Sequence, residues 1–268
     1  MSISRNRSLE GRLVLITGAS GSVGDAVARR LVLHEVDLAL AYHKNEFAVE
    51  ELAAQLRKDY DCESQLGRYL RISLHRVDLE SVEEAEGLVG QVEKAHGRMV
   101  DVLVGAAGWA RKVERKGEMD FLDIAVEEFD RTININLRPT FILVKNVVEG
   151  MKAKRWGRII TISSMAAYGV GQNGCHFAAS QGGLVAIVKS LAAPLAEFGI
   201  TINDVAPTPM RSIDDMIFGR GDQSRFGETP PLKRLCEPWE VANVVRMLCE
   251  TPFTTGQSIL LSGGLGHM

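Results

Sequence analysis

The residues with the most recognisable chemistry lie near the amino end of the chain, in the glycine-rich stretch TGASGSVG at positions 17–24. This stretch follows an apolar run typical of a strand and opens a segment with helical spacing. Glycine lets the backbone approach a pyrophosphate closely, and the free amides at a helix amino terminus point towards its charge. The stretch therefore predicts a dinucleotide-phosphate turn, with a purely structural turn as the alternative.

The end of the second predicted strand indicates which dinucleotide would bind. An acidic side chain here would accept hydrogen bonds from the ribose hydroxyls of NAD, but YHKN at 42–45 contains no acidic residue. Lys44 and His43 could pair with a 2′-phosphate, and Asn45 or Ser20 could donate a hydrogen bond to it. This favours NADP(H) as the cofactor, unless the strand simply ends in ordinary polar residues.

Along the rest of the chain, apolar runs alternate with segments of helical spacing, which indicates a parallel sheet covered on both faces. We predict a single-domain α/β fold over residues 1–268, with a Rossmann-like doubly wound parallel sheet flanked by helices on both faces. The predicted strands are 12–18, 36–42, 73–79, 99–108, 157–164, 200–207 and one within 254–264. The main predicted helices are 22–34, 46–60, 81–97, 128–154 (bent near Pro139) and 177–199.

Composition argues against several classes of protein. The 268 residues are 46% hydrophobic and carry a net charge of −3 without a long basic block, so nucleic acid is not expected as a partner. The amino-terminal MSISRNRSLEGR lacks the apolar core of a signal peptide, and there is no run of about 18 apolar residues, so no membrane span is expected. The four scattered cysteines form no CxxC pair. They indicate a reducing, cytoplasmic location, and no metal site is predicted.

Further motifs, in order along the chain, resemble those of the short-chain dehydrogenase/reductase family in its single-domain form, over about residues 8–265. They are TGASGSVG, VDL (77–79), GAAG (105–108), ININL (133–137), ITISS (160–164), NDVAPTP (203–209) and the carboxyl-terminal helix and strand. The resemblance implies an oxidoreductase with Asn136 and Ser164 in its catalytic set. Together with the turn, it implies these cofactor contacts: Gly18, Ser20, Gly21, Ser22, Val23, Gly24, His43, Lys44, Asn45, Asp78, Leu79, Ala106, Ala107, Gly108, Gln181, Pro207 and Thr208.

The chain departs from the family pattern where the resemblance implies proton chemistry. The family places a Tyr about 13 residues after the catalytic Ser, as the proton donor, and a Lys four residues later, which lowers the pKa of that Tyr. Those positions are Phe177 and Gln181 here. Natural divergence is favoured over an engineered double substitution, because other family positions differ as well: Ser22, Gly105, Ala106, Thr208 and Ser262.

Three functions remain open for such a site. In the first, Tyr168 or His176 replaces the missing acid. In the second, the substrate needs no acid because it is an iminium, imine or conjugated carbonyl of natural-product biosynthesis, reduced with or without cyclisation. Ser164 and Asn136 would orient it, and Phe177 would stack on it. In the third, the protein is a non-redox cyclase or isomerase, or a nucleotide-binding pseudoenzyme. The second is the function we expect.

Two regions are expected to meet partners. The irregular segment at about 208–231 is either a substrate lid or a plain mobile loop, and its mixed composition suits a bulky, partly apolar small molecule. By the resemblance, helices 128–154 and 177–199 pair into a homodimer or homotetramer. An apolar row on the second helix could serve either the core or that interface: Leu184, Ile187, Val188, Leu191 and Leu195.

Overall fold

Seven parallel strands form one sheet in the order β3-β2-β1-β4-β5-β6-β7. The computed structural model describes residues 9–63, 69–110, 121–169, 173–208, 210 and 230–265. The strands are β1 (Leu13–Thr17), β2 (Asp37–Tyr42), β3 (Ile72–Arg76), β4 (Val102–Gly105), β5 (Gly157–Ile162), β6 (Ile200–Pro207) and β7 (Ser258–Leu261). The α-helices are α1 (Ser22–Val32), α2 (Glu46–Glu63), α3 (Val82–His96), α4 (Val126–Asn136), α5 (Arg138–Lys154), α6 (Gly174–Ala196) and α7 (Pro238–Glu250). The predicted doubly wound sheet is confirmed.

The central strands are buried on both faces, as their continuous apolar runs predicted. Every residue of β1 and β2 is buried. One apolar cluster packs the sheet against α1, α2 and α7, and the other packs the opposite face against α3, α5 and α6. Because the sheet is fixed between two helical layers, the carboxyl ends of its strands are held in defined positions.

The segment predicted as one bent helix, 128–154, is two helices. The first ends at Asn136 and the second begins at Arg138, with Pro139 in its first turn. Proline lacks the N–H that an interior helical position donates, whereas the first turn has no acceptor for that N–H in any case. The interruption brings the amide side chain of Asn136 to the end of a helix.

Some strands are shorter than predicted. The third strand ends at Arg76 and the fourth spans only Val102–Gly105. The backbone N–H of Asp78 donates to the Glu84 carboxylate at 2.7 Å instead of to a neighbouring strand. Asp78 therefore lies in the turn that precedes α3.

Among the described residues, one helix has the length and apolar composition of a membrane span, namely α6. It packs against β6 and α4, and 33% of its apolar window is buried. A core helix also passes this test of length and composition, and these contacts place α6 on the sheet.

A hydroxyl bridges two buried imidazoles between β3 and α3. Ser73 Oγ lies 2.7 Å from His75 Nε2 and 2.8 Å from His96 Nε2. Burial, with a smaller contribution from the positive charge of Arg71, lowers the pKa of His96 to about 4. Burial also lowers the pKa of His75. Both rings are therefore neutral in the folded protein at neutral pH.

This pair is expected to make the fold acid-sensitive. The unfolded chain takes up a proton on His96 near pH 6.5, whereas the folded chain resists it down to about pH 4. Stability should therefore fall as the pH drops from about 6.5 towards 4, by at most about 1.4 kcal/mol per pH unit for one proton. Urea midpoints between pH 7.5 and 4.5 measure this slope. His96→Gln should flatten it and the exposed His43→Gln should not; equal slopes in wild type and His96→Gln would refute the assignment.

Candidate active site

The candidate site lies where the order of the strands reverses. Strand β1 pairs with β2 on one side and with β4 on the other, and their carboxyl ends share one edge of the sheet. In open parallel sheets, ligands bind in the crevice outside this point. The loops that follow β1, β4, β5 and β6 all leave from this edge.

The turn after β1 is built around two glycines that tolerate no side chain. Gly18 has φ +67°, and a Cβ there would lie 2.8 Å from Ala107 Cα. A Cβ on Gly24 would overlap the carbonyl oxygen of Gly18. The amide of Gly21 donates to that same carbonyl at 2.9 Å, which closes the turn.

The first turn of α1 provides amides for an anion. Gly21 is its N-cap, and no side chain caps the helix. The N–H groups of Ser22, Val23 and Gly24 have no acceptor within the helix, by helix geometry. A pyrophosphate placed against them would satisfy these donors and meet the positive end of the helix dipole. The residues present therefore fit the phosphates of a dinucleotide.

The second strand ends in exposed basic side chains. His43 Nε2 lies 3.7 Å from Asp78 Oδ2, and Lys44 is exposed beside it. The carboxamide oxygen of Asn45 accepts the N–H of Ala48 at 3.2 Å, so this side chain caps α2. Only the amino group of Asn45 is left to donate to a ligand.

The first acidic residue of α2 already has a partner. The hydroxyl of Tyr42 donates to the Glu46 carboxylate at 2.7 Å. Ser20, the other predicted donor to a 2′-phosphate, is half-buried in the turn after β1. The exposed Lys44, beside the imidazole of His43, is therefore the cation that this edge offers to an anionic ligand.

The other predicted cofactor residues lie on the same edge. Asp78 and Leu79 follow β3, where Asp78 Oδ1 accepts the N–H of Glu80 at 3.0 Å. Ala106, Ala107 and Gly108 follow β4, and Pro207 and Thr208 close β6. The Ala107 N–H donates to Thr17 Oγ1 at 3.3 Å, and the Thr208 N–H donates to the Leu261 carbonyl at 3.1 Å.

Asn136 is committed to the fold. Its side-chain oxygen accepts the N–H of Trp109 at 2.7 Å, and its amino group donates to the Trp109 carbonyl at 2.9 Å. The same amino group lies 3.2 Å from Ser180 Oγ on α6. Asn136 is 3% exposed. It therefore joins the loop after β4 to two helices.

Sequence reasoning missed Ser180, which connects the catalytic candidates. Its hydroxyl donates to the Phe177 carbonyl at 2.7 Å and accepts from Asn136 and from Gln181 Nε2, the latter at 3.1 Å. Gln181 is buried and bonded to its helical neighbour. A polar residue one turn after His176 in an apolar helix was the available signal. Trp109 was also missed, and the sequence around it carried no signal of this role.

Ser164 caps the short 3-10 helix Met165–Tyr168. Its Oγ accepts the N–H of Ala166 at 3.2 Å. A hydroxyl that accepts this bond still has its own proton to donate. Tyr168, at the far end of the same short helix, is 39% exposed, and Phe177 is half-buried.

His176 lies against α4. It is 1% exposed, and its Nε2 is 3.2 Å from Glu128 Oε1. The ring thus packs in the interface between α4 and α6. Of the two candidates to replace the missing proton donor, this favours the more exposed Tyr168. The segment predicted as a substrate lid or a plain mobile loop, about 208–231, falls almost wholly outside the described residues. Within those residues, no three His, Cys, Asp or Glu side chains converge as a metal ion would need.

Comparison with known proteins identifies the family to which the chain is similar. The family model described as enoyl-(acyl carrier protein) reductase matches residues 18–266. The 3-oxoacyl-[acyl-carrier-protein] reductase of Rickettsia bellii is 32% identical over 96% of this chain and 98% of its own length. Nodulation protein G of Rhizobium sp. strain N33 is 31% identical over 96% of this chain and 98% of its own length.

A solved structure shares the fold. A protein of Sinorhizobium meliloti 1021 described as a short-chain alcohol dehydrogenase superposes with a TM-score of 0.82 at 23% identity, over 96% of each chain. The sequence relatives cover nearly the whole chain, and the superposed structure spans 96% of it. The chain therefore belongs to the short-chain dehydrogenase/reductase family of oxidoreductases.

Proposed function

We propose that the protein is an NADPH-dependent reductase of an activated substrate, an imine, iminium or conjugated carbonyl, in the biosynthesis of a small natural product. One observation carries this proposal. A glycine turn that fits a dinucleotide lies at the same carboxyl edge of the sheet as the first turns of α6, where Phe177 and Gln181 stand in place of a phenol and an ammonium group. On this proposal the turn binds the cofactor, while Phe177 and Gln181 occupy the positions where the resemblance implies the proton-delivering Tyr and Lys.

The chain's own residues would hold the cofactor at three places. The amides of Ser22 to Gly24 would bind its pyrophosphate, and Lys44 with His43 would pair with its 2′-phosphate. The loop at 105–108 would lie along the remaining part of the dinucleotide. When bound, NADPH supplies a hydride.

The missing pair restricts the substrate. A positioned general acid accelerates proton transfer by about 10²–10⁴-fold, and reduction of a plain ketone depends on one because an alkoxide develops. An iminium already carries the charge that a hydride neutralises. Such a substrate needs orientation and exclusion of water rather than a proton.

Ser164 and Phe177 are the residues that would orient the substrate. The Ser164 hydroxyl keeps its proton for a substrate acceptor, because its oxygen accepts from the backbone. Phe177 would present an aromatic face to a flat cation. Asn136 would act indirectly, by holding Trp109 and Ser180 in place.

Cofactor binding tests the first half of the proposal. NADPH fluorescence titration should show tight binding, and Lys44→Ala should weaken NADPH binding about tenfold or more while NADH binding is unchanged, because only the 2′-phosphate needs the lost cation. The matched control is Lys58→Ala on the exposed face of α2. Absence of nicotinamide binding at millimolar NADPH would end the proposal.

Turnover tests the second half. With 2-methyl-1-pyrroline as a cyclic imine probe, we expect one NADPH to be consumed for each molecule of product formed.

The competing function is a non-redox cyclase or nucleotide-binding protein. It is favoured by the way Asn136, Ser180 and Gln181 satisfy one another inside the fold. That function predicts product formation, or partner binding, that is indifferent to the oxidation state of the nucleotide.

We also propose that the chain forms a homodimer or homotetramer through its long helices. The apolar helix α6 is only partly covered, and large apolar side chains are exposed on α4 and α5, with Phe129 40% and Phe141 57% exposed. Apolar surface of this kind is typical of an interface between subunits. The molar mass in solution, from light scattering, tests this assembly.

A further inference from the structure

Asp204 is a buried carboxylate in an apolar part of the sheet. It lies on β6 with no exposed surface, and Ile200 and Ile202 of the same strand belong to an apolar cluster. No Lys, Arg or His among the described residues forms an ion pair with it. Burying a charged group without a counter-ion is costly, so its retention calls for compensating bonds.

Three hydroxyl groups supply those bonds. Thr161 Oγ1 donates to Oδ1 of Asp204 at 2.8 Å, Ser163 Oγ donates to Oδ2 at 2.7 Å, and Ser258 Oγ donates to Oδ2 at 2.5 Å. Thr161 on β5 and Ser258 on β7 stand directly beside Asp204 in the strand register. Burial raises the pKa of Asp204, and the three hydroxyls oppose that rise. A carboxylate that only accepts matches this set of donors.

One of these hydroxyls belongs to the residue before Ser164. Ser163 is held twice, since its N–H donates to the Val205 carbonyl at 2.9 Å and its hydroxyl donates to Asp204. The next residue is Ser164, which caps the short helix leading to Tyr168. The chain therefore turns away from the sheet directly after a residue that the carboxylate fixes.

We infer that Asp204 is a positioning residue: through Ser163 it sets where the Ser164 hydroxyl stands in the candidate active site. The inference rests on the proposed role of Ser164 in orienting the substrate. It assigns to a buried group on β6 a function at a loop that it does not itself touch.

Two of the hydroxyl donors, Ser163 and Ser258, form a matched pair for testing this inference. Ser163 and Ser258 donate to the same oxygen of Asp204, at 2.7 and 2.5 Å. Ser258 lies on the last strand and is not connected to the Ser164 loop, whereas Ser163 is covalently joined to it. A purely structural carboxylate would make Ser163→Ala and Ser258→Ala equivalent. A positioning carboxylate would separate them.

Kinetics with 2-methyl-1-pyrroline and NADPH test the inference. Ser163→Ala and Asp204→Asn should lower kcat about 10–100-fold, since a displacement on the order of 1 Å can have that effect, with the KM for NADPH unchanged. Ser258→Ala should change kcat by about twofold or less. In a Ser164→Ala background the effect of Ser163→Ala should disappear, because the two changes act through one hydroxyl. Equal losses for the two serines, or full additivity with Ser164→Ala, would overturn the inference.

Crystal structures of the variants provide a readout without turnover. Ser163→Ala should displace Ser164 Oγ by more than about 0.5 Å, the tolerance of a working site, and Ser258→Ala should leave it in place. If the wild-type chain binds NADPH but reduces no imine, the proposed function fails. A displaced Ser164 in the first variant alone would still support the inference. An unmoved Ser164 in both variants would refute it, whatever the activity.

Discussion

The double variant Phe177→Tyr, Gln181→Lys is expected to reduce a plain ketone such as cyclohexanone about 10²–10⁴-fold faster than the wild-type chain. The phenol would supply the general acid, and the ammonium group one turn later would lower the pKa of that phenol. The short helix that follows Ser164 packs against α6, so both side chains would start from the helix that faces the candidate site. NADPH oxidation at 340 nm measures the gain.

The single variants identify what the gain depends on. Phe177→Tyr alone should recover only part of it, because a phenol without a nearby cation keeps a high pKa. Gln181→Lys alone should recover none, and it removes the 3.1 Å hydrogen bond from Gln181 to Ser180. A thermal unfolding curve for each variant shows whether a variant without the gain is unfolded or is folded but inactive. Wild-type chain that already reduces cyclohexanone as fast as the double variant would contradict the proposed function.

Phe177 and Gln181 lie at a buried hydrogen-bond network. It joins α4, α6 and the loop after β4 through Trp109, Asn136, Ser180, the Phe177 carbonyl and the Gln181 Nε2 group. A buried network is stable only when its members are satisfied. The amide of Gln181 therefore serves the fold at a position where the resemblance implies a cation at the cofactor.

Local features could be predicted from the sequence. The glycines of 17–24 gave the turn and the start of α1, because tight turns depend on residues within one short stretch. Apolar runs gave all seven strands, since strands buried on both faces carry continuous apolar sequence. Pro139 marked an interruption, although it was predicted as a bend and the structure has two helices.

Contacts between distant parts of the chain could not be predicted. The hydrogen bonds from Asn136 to Trp109 and to Ser180 join residues that are 27 and 44 positions apart in sequence. The residue types alone do not predict these contacts. Asp204 could not be linked to Ser163 for the same reason, because their contact depends on the register of β5 against β6. Strand ends were also overestimated, since apolar residues continue beyond the last ladder bond.

A second buried charge, at the opposite edge of the sheet, stabilises the fold. Arg158 is the second residue of β5 and is 1% exposed. Its guanidinium donates to the carbonyls of Cys249 at 3.0 Å, Gly157 at 2.7 Å and Gly199 at 3.3 Å. Cys249 lies in the last turn of α7, so the cation meets the negative end of a helix dipole. Burial lowers the pKa of Arg158 to about 10, and the group therefore stays charged at neutral pH.

Arg158→Met is expected to be the most destabilising substitution considered in this molecule. Methionine fills most of the volume but donates no hydrogen bond, so three buried carbonyl groups lose their partner. The stacking of Arg158 on Trp156, at 4.5 Å from the ring centroid, is lost as well. We expect a loss of about 3–5 kcal/mol in the free energy of unfolding. Urea denaturation followed by circular dichroism measures it.

A matched variant separates burial from residue type. Arg29→Met on α1 removes an exposed ion pair with Asp25, 2.7 Å long, and should cost only about 0.3–0.5 kcal/mol. Arg158→Lys should fall between the two, because an ammonium group can reach some of the carbonyls but not in the fork geometry of a guanidinium. If Arg158→Met were no worse than Arg29→Met, the buried cation would be dispensable. The carbonyls of Gly157, Gly199 and Cys249 would then have to be satisfied by water.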